Sequence, residues 1–349
     1  MTSQPLILGI ETSCDETGIA VVRGYDLLGE VIASSVEEHA RFGGIVPEVA
    51  SRAHLEVFEP TLNTCLQQAG VGLGDIDAIA VTAGPGLIGS LTVGVAAAKA
   101  LALALNRPIY GVNHIVGHIA VDSLVNGPFP DKFLGLVVSG GHSSLMMVED
   151  IATTVRQLGT TLDDAAGEAF DKIGRLLDLP YPGGPHIDRL SQTGNREAYD
   201  FPRGLMGARE QQKYPYDFSF SGVKTAVARQ IEAAQDAGEE IFAPDIAASF
   251  SEAVVEVIVE KTLRAAHDHQ VDTVVIGGGF SANSRLRELS RTVLEAAGLA
   301  VRIPPVSYCT DNGAMIAALG AHVVAAGVPP SPLDFAVTSH MPLETVTCS

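Results

Sequence analysis

The chain has 349 residues, with 22 Lys+Arg against 41 Asp+Glu and a formal net charge of −19 at pH 7. Hydrophobic residues make up 46% and aromatic ones only 5%, with no Trp. Such a chain buries a core and is not disordered. It lacks both the basic excess of a nucleic-acid coat and the aromatics that stack serial bases.

At roughly 150 residues per domain, the length predicts two domains. Cys14, Cys65, Cys309 and Cys348 form no CxxC pair, which predicts a reducing, cytoplasmic setting. The apolar run Leu6–Ile10 is too short for a signal-peptide core and has no basic residue before it. Ala78–Ala98 carries no charge and is long enough to span a bilayer. Pro85 and the glycines at 84, 86, 89 and 94 divide it, so a buried strand, a turn and a buried helix are expected, and no membrane span.

In chain order, Leu8–Val22 reads as a hairpin with its polar turn at Ser13–Glu16. Ile79–Gly86 reads as a strand entering a Gly-rich turn, followed by an Ala-rich helix over Ile88–Leu105. A short strand, Ile109–Val112, leads into Asn113–His118. Leu134–Val148 reads as a second hairpin, its turn at Ser139–His142. Thr161 and Asp164 have the spacing of a capping box opening a helix toward Leu177. The turn Tyr181–Pro185 and a polar stretch from Asn195 to Asp217 follow; loops of that length are usually functional or mobile. Pro244–His267 and Ser281–Leu294 have helical spacing around the strand Val274–Gly279. Beyond Pro329 the prolines predict an irregular, weakly ordered tail.

Leu8 corresponds to Leu134 and Gly84 to Gly278, in the same order, which predicts a duplicated α/β lobe. The first lobe is placed at 1–130, completed by a C-terminal helix at 311–326. The second is placed at 131–310 with a helical insertion about 160–240, and the tail at 327–349.

Gly140, Gly141 and the Gly277–Gly279 run lie at strand ends, where α/β sheets bind nucleotides. There is no GxxxxGK[ST], and no GxGxxG follows a strand. His114 and His118, at i and i+4, share a helix face and can reach one metal ion. Asp311 is a candidate third ligand, since two His and a carboxylate suit a Lewis-acid or non-haem iron site. Equally, the histidines could be unrelated and Asp311 a helix cap. Ile115 and Gly117 stand where an HExxH protease needs its Glu, and no serine sits in a GxSxG elbow, so hydrolysis of those kinds is unsupported. Glu168 and Lys172 have ion-pair spacing. Asp171, Gly184, Asp188 and Asn283 could face a ligand or serve only as caps and turn residues.

Eight segments occur in order: Glu11–Thr17, Asn113–His118, Val138–His142, Gly167–Lys172, Tyr181–Pro185, Phe218–Thr225, Gly277–Asn283 and Cys309–Gly313. With them the chain resembles, over about Leu6 to Ala326, the bacterial tRNA N6-adenosine threonylcarbamoyltransferase (TsaD) family, once labelled O-sialoglycoprotein endopeptidase. The resemblance implies the duplicated actin/sugar-kinase/Hsp70-like (ASKHA) α/β fold, two lobes around a central cleft. It implies transfer of threonylcarbamoyl from threonylcarbamoyl-AMP to N6 of the adenosine 3′ of the anticodon, in tRNAs reading codons that begin with A, with release of AMP. It also implies a divalent metal, Fe2+, on His114, His118 and Asp311. Val137, Val138, Ser139, Gly140, Gly141, Asp171, Gly184, Asp188 and Asn283 match the family's adenylate-substrate positions. The expected partners are tRNA, threonylcarbamoyl-AMP, a paralogous TsaB-type subunit and a small TsaE-type ATPase. Asp15 and Glu16 are candidates for a general base. The rival classes are an ATPase or kinase of the same fold and a non-catalytic scaffold. The acidity then means that tRNA is held by local basic positions, such as Arg41, Arg52, Arg203, Arg209 and Lys213, or by partners.

Overall fold

A computed structural model describes residues 4–40, 42 and 44–349. Among the described residues ten strands form two sheets: β1 Leu6–Glu11, β2 Glu16–Arg23, β3 Asp26–Ser34, β4 Ala78–Gly84 and β5 Ile109–Asn113 in one. The other holds β6 Phe133–Val138, β7 Ser143–Asp150, β8 Thr154–Thr160, β9 Thr273–Gly277 and β10 Ala300–Arg302. The first sheet runs β3-β2-β1-β4-β5 and the second β8-β7-β6-β9-β10. Counted within each set of five, the two orders are the same, and this is the duplication that the paired hairpins and Gly-rich turns announce. In each set the third and fourth strands in this order pair in parallel, β1 with β4 and β6 with β9.

The chain divides into two compact units. One comprises Met1–Asp131, Val148–Arg156 and Pro304–Ser349, the other Lys132–Met147 and Gln157–Ile303. In the first unit every residue of β1 is buried, because both faces of its sheet are covered. Leu6, Leu8 and Ile10 pack with Leu62, Cys65 and Leu66 of helix Pro47–Ala69 and with Val95, Ala98 and Ala102 of helix Ile88–Leu105. The opposite face takes helix Gly313–Ala325, whose first residue touches the sheet backbone. A Cβ on Gly313 would lie 2.5 Å from the carbonyl carbon of Ile19 and 2.6 Å from the nitrogen of Ala20. Among the described residues one helix, Ile88–Leu105, is long and apolar enough to cross a membrane; one of its faces is committed to this core.

The expectation of a weakly ordered tail is corrected. Past helix Gly313–Ala325 there is no further helix or strand, yet Phe335 and Met341 enter the core of the first unit. Strand β5 is the edge of its sheet and leaves backbone groups to be satisfied. The tail supplies the partners: Asn113 donates its N–H to Val346 O (3.0 Å) and Cys348 donates to Gly111 O (2.8 Å).

The second unit packs β6 and β9 against helices Ala166–Leu176, Ser221–Ala237 and Ala243–His269. Phe170 sits against Phe250 and Phe280, with ring centroids 4.7 and 4.6 Å apart. Two local expectations change here. Thr161 does not cap a helix; its hydroxyl donates to Asp164 O (2.7 Å), and the helix starts at Ala166 without a side-chain cap. The Asp164 carboxylate is taken by Lys172 and Lys224 instead (2.7 and 2.8 Å). The polar stretch 195–217 contains a short helix, Ala208–Lys213, and is tied down. Arg203 reaches Glu256 (2.7 Å) and Lys261 donates to Tyr214 O (2.8 Å).

Candidate functional site

Strand β5 ends on Asn113, and helix His114–Ala120 begins at once. The side-chain oxygen of Asn113 accepts from the N–H groups of Ile115 (2.9 Å) and Val116 (3.3 Å) and so caps that helix. Its amide donates to Pro342 O and Thr345 O of the tail (3.0 and 3.1 Å). One helical turn then stacks His114 and His118 edge to face, with ring centroids 4.7 Å apart.

Asp311 arrives from the far end of the chain. It precedes helix Gly313–Ala325 but does not cap it: Asn312 does, accepting from Met315 N (2.8 Å) and donating to Thr310 O (2.7 Å). Glu30 of β3 accepts from Ala314 N (3.0 Å) at the same helix end. The Asp311 carboxylate is thereby left to face the histidines. His118 Nε2 lies 3.3 Å and His114 Nε2 3.7 Å from Asp311 Oδ1. One ligand atom from each residue falls within 4.8 Å of the others.

The donor set suits a metal ion by chemistry and by an accounting of polar atoms. Both ring nitrogens of His118 are buried and have no hydrogen-bond partner, whereas buried polar groups are normally bonded. The His118 side chain is 0% exposed and that of Asp311 20%, so the carboxylate forms the open side. Burial disfavours a charged His114, but the carboxylates of Asp311 and Glu11 outweigh it and raise the imidazole to about 9.

Sequence reasoning missed Glu11 as a member of this site. It is fully buried at the end of β1. Its carboxylate accepts from the Ser13 N–H and the Thr82 hydroxyl, and His114 Nδ1 lies 3.1 Å from it. The available signal was a carboxylate closing an otherwise apolar strand.

Asp15 lies in the turn after β1, and Glu16 opens β2. His54 Nε2 donates to Cys14 O (3.1 Å), so its Nδ1 accepts from the Thr17 hydroxyl (2.7 Å). Ser35 holds Asp15 O (3.0 Å). Burial, then the neighbouring Asp311 and Asp15, push the Glu16 carboxyl far above the usual carboxylate range.

The second unit brings the other candidate positions into one connected series. Val137 and Val138 end β6. Ser139 then closes a tight turn, donating its N–H to His142 O (2.7 Å). Gly278, at φ +89°, lets the end of β9 lie against Val138; a Cβ there would be 2.5 Å from Val138 O. The N–H of Gly167 donates to Ser139 O (3.2 Å), which seats the helix carrying Asp171. Asp171 accepts from the N–H groups of Gly183 (2.8 Å) and Gly184 (3.3 Å), and burial raises its carboxyl despite both bonds. Asp188 accepts from the backbone and hydroxyl of Ser284 (3.1 and 2.8 Å). Asn283 caps its helix through Oδ1, which accepts from Leu286 N (2.9 Å), while its Nδ2 is buried without a partner. Nothing lies within 4 Å of a Cβ built on Gly140, Gly141 or Gly184, so these turns are open on that side.

The remaining residues fall into place. Lys172 pairs with Glu168 (2.8 Å) as spaced. Of the basic positions, Arg41 lies outside the described residues. Arg52, Arg209 and Lys213 are exposed, and Arg203 is engaged by Glu256 and Asp200.

Comparison with known proteins adds the following. A sequence model described as TsaD, tRNA N6-adenosine threonylcarbamoyltransferase, matches residues 26–318. Proteins of that name from Bifidobacterium adolescentis and Bifidobacterium longum are each 55% identical over 345 residues, covering 99% of both chains. Among solved structures, T. kodakarensis HypF superposes with a TM-score of 0.62 at 15% identity. That match covers 93% of this chain, which spans about half (48%) of the HypF chain. Component A of the Acidaminococcus fermentans (R)-2-hydroxyglutaryl-CoA dehydratase superposes at 0.53 with 15% identity, covering 93% of this chain and 100% of that one. At such identities the likeness concerns the fold alone: the duplicated α/β ASKHA fold.

Proposed function

From the premise that the chain belongs to the tRNA N6-adenosine threonylcarbamoyltransferase family, and is a transferase of that kind, we propose the finer reaction. The donor is threonylcarbamoyl-AMP, and the acceptor is N6 of the adenosine 3′ of the anticodon in tRNAs that read codons beginning with A. The N6 lone pair attacks the carbamoyl carbon and a C–N bond forms. The bond from that carbon to the phosphate oxygen breaks, its electron pair leaves with AMP, and N6 gives up a proton.

His114, His118 and Asp311 would hold one divalent cation, Fe2+ by family resemblance. Bound there, it supplies Lewis acidity toward the charge that develops on phosphate and carbamoyl oxygens. The observation that carries this reading is His118, whose buried ring nitrogens make no hydrogen bond while Asp311 stands 3.3 Å from one of them.

The other residues bind and orient. The Asn283 amide is a free donor for a hydroxyl or phosphate oxygen of the adenylate. The open Gly140–Gly141 turn lets backbone N–H groups approach an anion. Asp15 and Glu16, neighbours in the chain and close to Asp311, are the candidate acceptors for the N6 proton. A TsaB-type paralogue and a TsaE-type ATPase complete the proposed assembly and supply basic surface that an acidic chain lacks.

The test supplies unmodified tRNA and threonylcarbamoyl-AMP to the metal-loaded protein, with and without both partners, and analyses nucleosides by mass spectrometry. Threonylcarbamoyladenosine and stoichiometric AMP are expected, and His114→Ala should abolish both. ATP turnover without tRNA, and no modified nucleoside, would favour an ATPase or kinase instead.

A further inference from the structure

We infer that Glu11 is the positioning residue of the His114 ligand: it keeps the Nδ1 hydrogen and the ring orientation in place, so that Nε2, beside Asp311, is the nitrogen that gives up its proton to bind an ion. The inference rests on the metal reading above and concerns a residue outside the three ligands.

Glu11 is the carboxylate that ends β1, and it is 0% exposed. A buried carboxylate is costly unless its oxygens are satisfied. Here one oxygen accepts from the Ser13 N–H. The other accepts from the Thr82 hydroxyl of β4 and faces His114 Nδ1 at 3.1 Å. The Ser13 hydroxyl lies 3.2 Å from the same nitrogen. An ionised carboxylate only accepts, so the hydrogen of this contact belongs to Nδ1. That leaves Nε2, 3.7 Å from Asp311 Oδ1, as the nitrogen through which the ring can bind an ion once it loses its proton there. A metal-bound histidine commonly gives its second ring N–H to a carboxylate, which fixes the tautomer and raises ligand basicity.

The two histidines differ in this respect. His118 makes no hydrogen bond on either nitrogen and has only the Asp311 carboxylate beside Nε2, so of the two rings His114 alone is held by a hydrogen bond on its second nitrogen. The support is also rigid. Glu11 sits on a central strand, its Thr82 partner sits on the adjacent parallel strand, and the Thr12 hydroxyl anchors the next residue to Ser90 O (3.0 Å).

Glu11→Gln is the informative change because it keeps size and alters one donor. The Gln oxygen still accepts from Ser13 N–H, which turns the NH2 group toward Thr82 and His114 Nδ1. His114 Nδ1 must then accept, the proton moves to Nε2, and ligation through Nε2 is blocked. We expect Zn2+ affinity, read by competition with a chromophoric chelator, to fall about 10–100-fold, with the circular dichroism spectrum unchanged. Long-range 1H–15N spectra of the Zn2+-loaded wild type should show His114 protonated on Nδ1 and metal-bound through Nε2.

Equal Zn2+ affinity in folded Glu11→Gln and wild type overturns the role of Glu11 and leaves the metal site standing. So does wild-type His114 bound through Nδ1, a measurement that decides the matter even if the variant does not fold. No saturable Zn2+ binding by the wild type overturns the metal reading itself, and this inference with it.

Discussion

His118 Nε2 lies 3.3 Å from Asp311 Oδ1, although the two residues are remote in sequence. Strand β5 delivers one, and the loop before helix Gly313–Ala325 delivers the other. If the pair shares an ion, His118→Ala and Asp311→Ala should each weaken Zn2+ binding by more than about a hundredfold, beyond the loss typical of an outer-shell change. Equilibrium competition with a chelator measures this. Affinities within threefold of wild type would refute the shared site.

Asn312 holds the helix end beside Asp311. Asn312→Ala should cost about 1 kcal/mol of stability through the lost cap, as read by urea unfolding. It should also loosen the Thr310–Asn312 loop and reduce Zn2+ affinity. A stability loss with unaltered metal affinity would separate the cap from the site.

Gly313 marks the closest approach of that helix to β2. A methyl group there would meet Ile19 and Ala20 backbone at 2.5 and 2.6 Å, and strand β2 cannot yield without disturbing its pairing on both sides. Gly313→Ala should therefore destabilise the protein by about 1–3 kcal/mol, as overpacked cores do. Thermal and chemical unfolding would show it, and a neutral effect would contradict the packing described.

Asp163 contributes acid-sensitive stability to the second unit. Burial raises its carboxyl, but bonds from the Ser219 and Ser221 hydroxyls and from the Phe220 and Ser221 N–H groups outweigh it and hold the group below its ordinary 3.8. A depressed folded pKa contributes stability that is present above the unfolded value and lost as pH falls through the folded one. The gap in unfolding free energy between wild type and Asp163→Asn should thus be constant above about pH 5 and shrink below about pH 4. At neutral pH it should amount to about 0.5–1 kcal/mol, because Asp163 is exposed and solvent screens its bonds. A gap that does not change with pH would assign the bonds no dependence on charge.

Asn283 separates capping from ligand binding within one side chain. Asn283→Asp keeps the oxygen that caps Leu286 N and removes the unpartnered Nδ2 donor. Unfolding free energy should fall by about 1–3 kcal/mol, because a carboxylate oxygen replaces a buried, unpartnered amide, while affinity for AMP falls at least about tenfold through the lost donor and the added charge. Calorimetric titration checks it, and unchanged AMP affinity would remove Asn283 from the adenylate positions.

Much of the fold could be read in the chain itself. The hairpins at Leu8–Val22 and Leu134–Val148, with their matching Gly-rich strand ends, carry the duplication because alternation and turn chemistry are local properties. His114 and His118 were visible as a pair for the same reason: helical spacing alone puts them on one face. Asp311 could be named but not distinguished from a cap, since Asp and Asn in sequence at 311–312 suit that role equally; only the coordinates assign it to Asn312.

What the sequence by itself determined is therefore whatever depends on neighbours along the chain: strands, turns, the imidazole pair and, through its ordered motifs, the family. Tertiary structure decided the rest. The tail looked loose because its prolines exclude helix and strand, yet the open edge of β5 gives its backbone partners. Arg203 looked available to tRNA until Glu256 was found beside it. Glu11 looked like the end of a strand until Thr82 and His114, both remote in sequence, closed around its carboxylate. A buried charge draws its role from the groups that satisfy it, and those groups meet only when the chain folds.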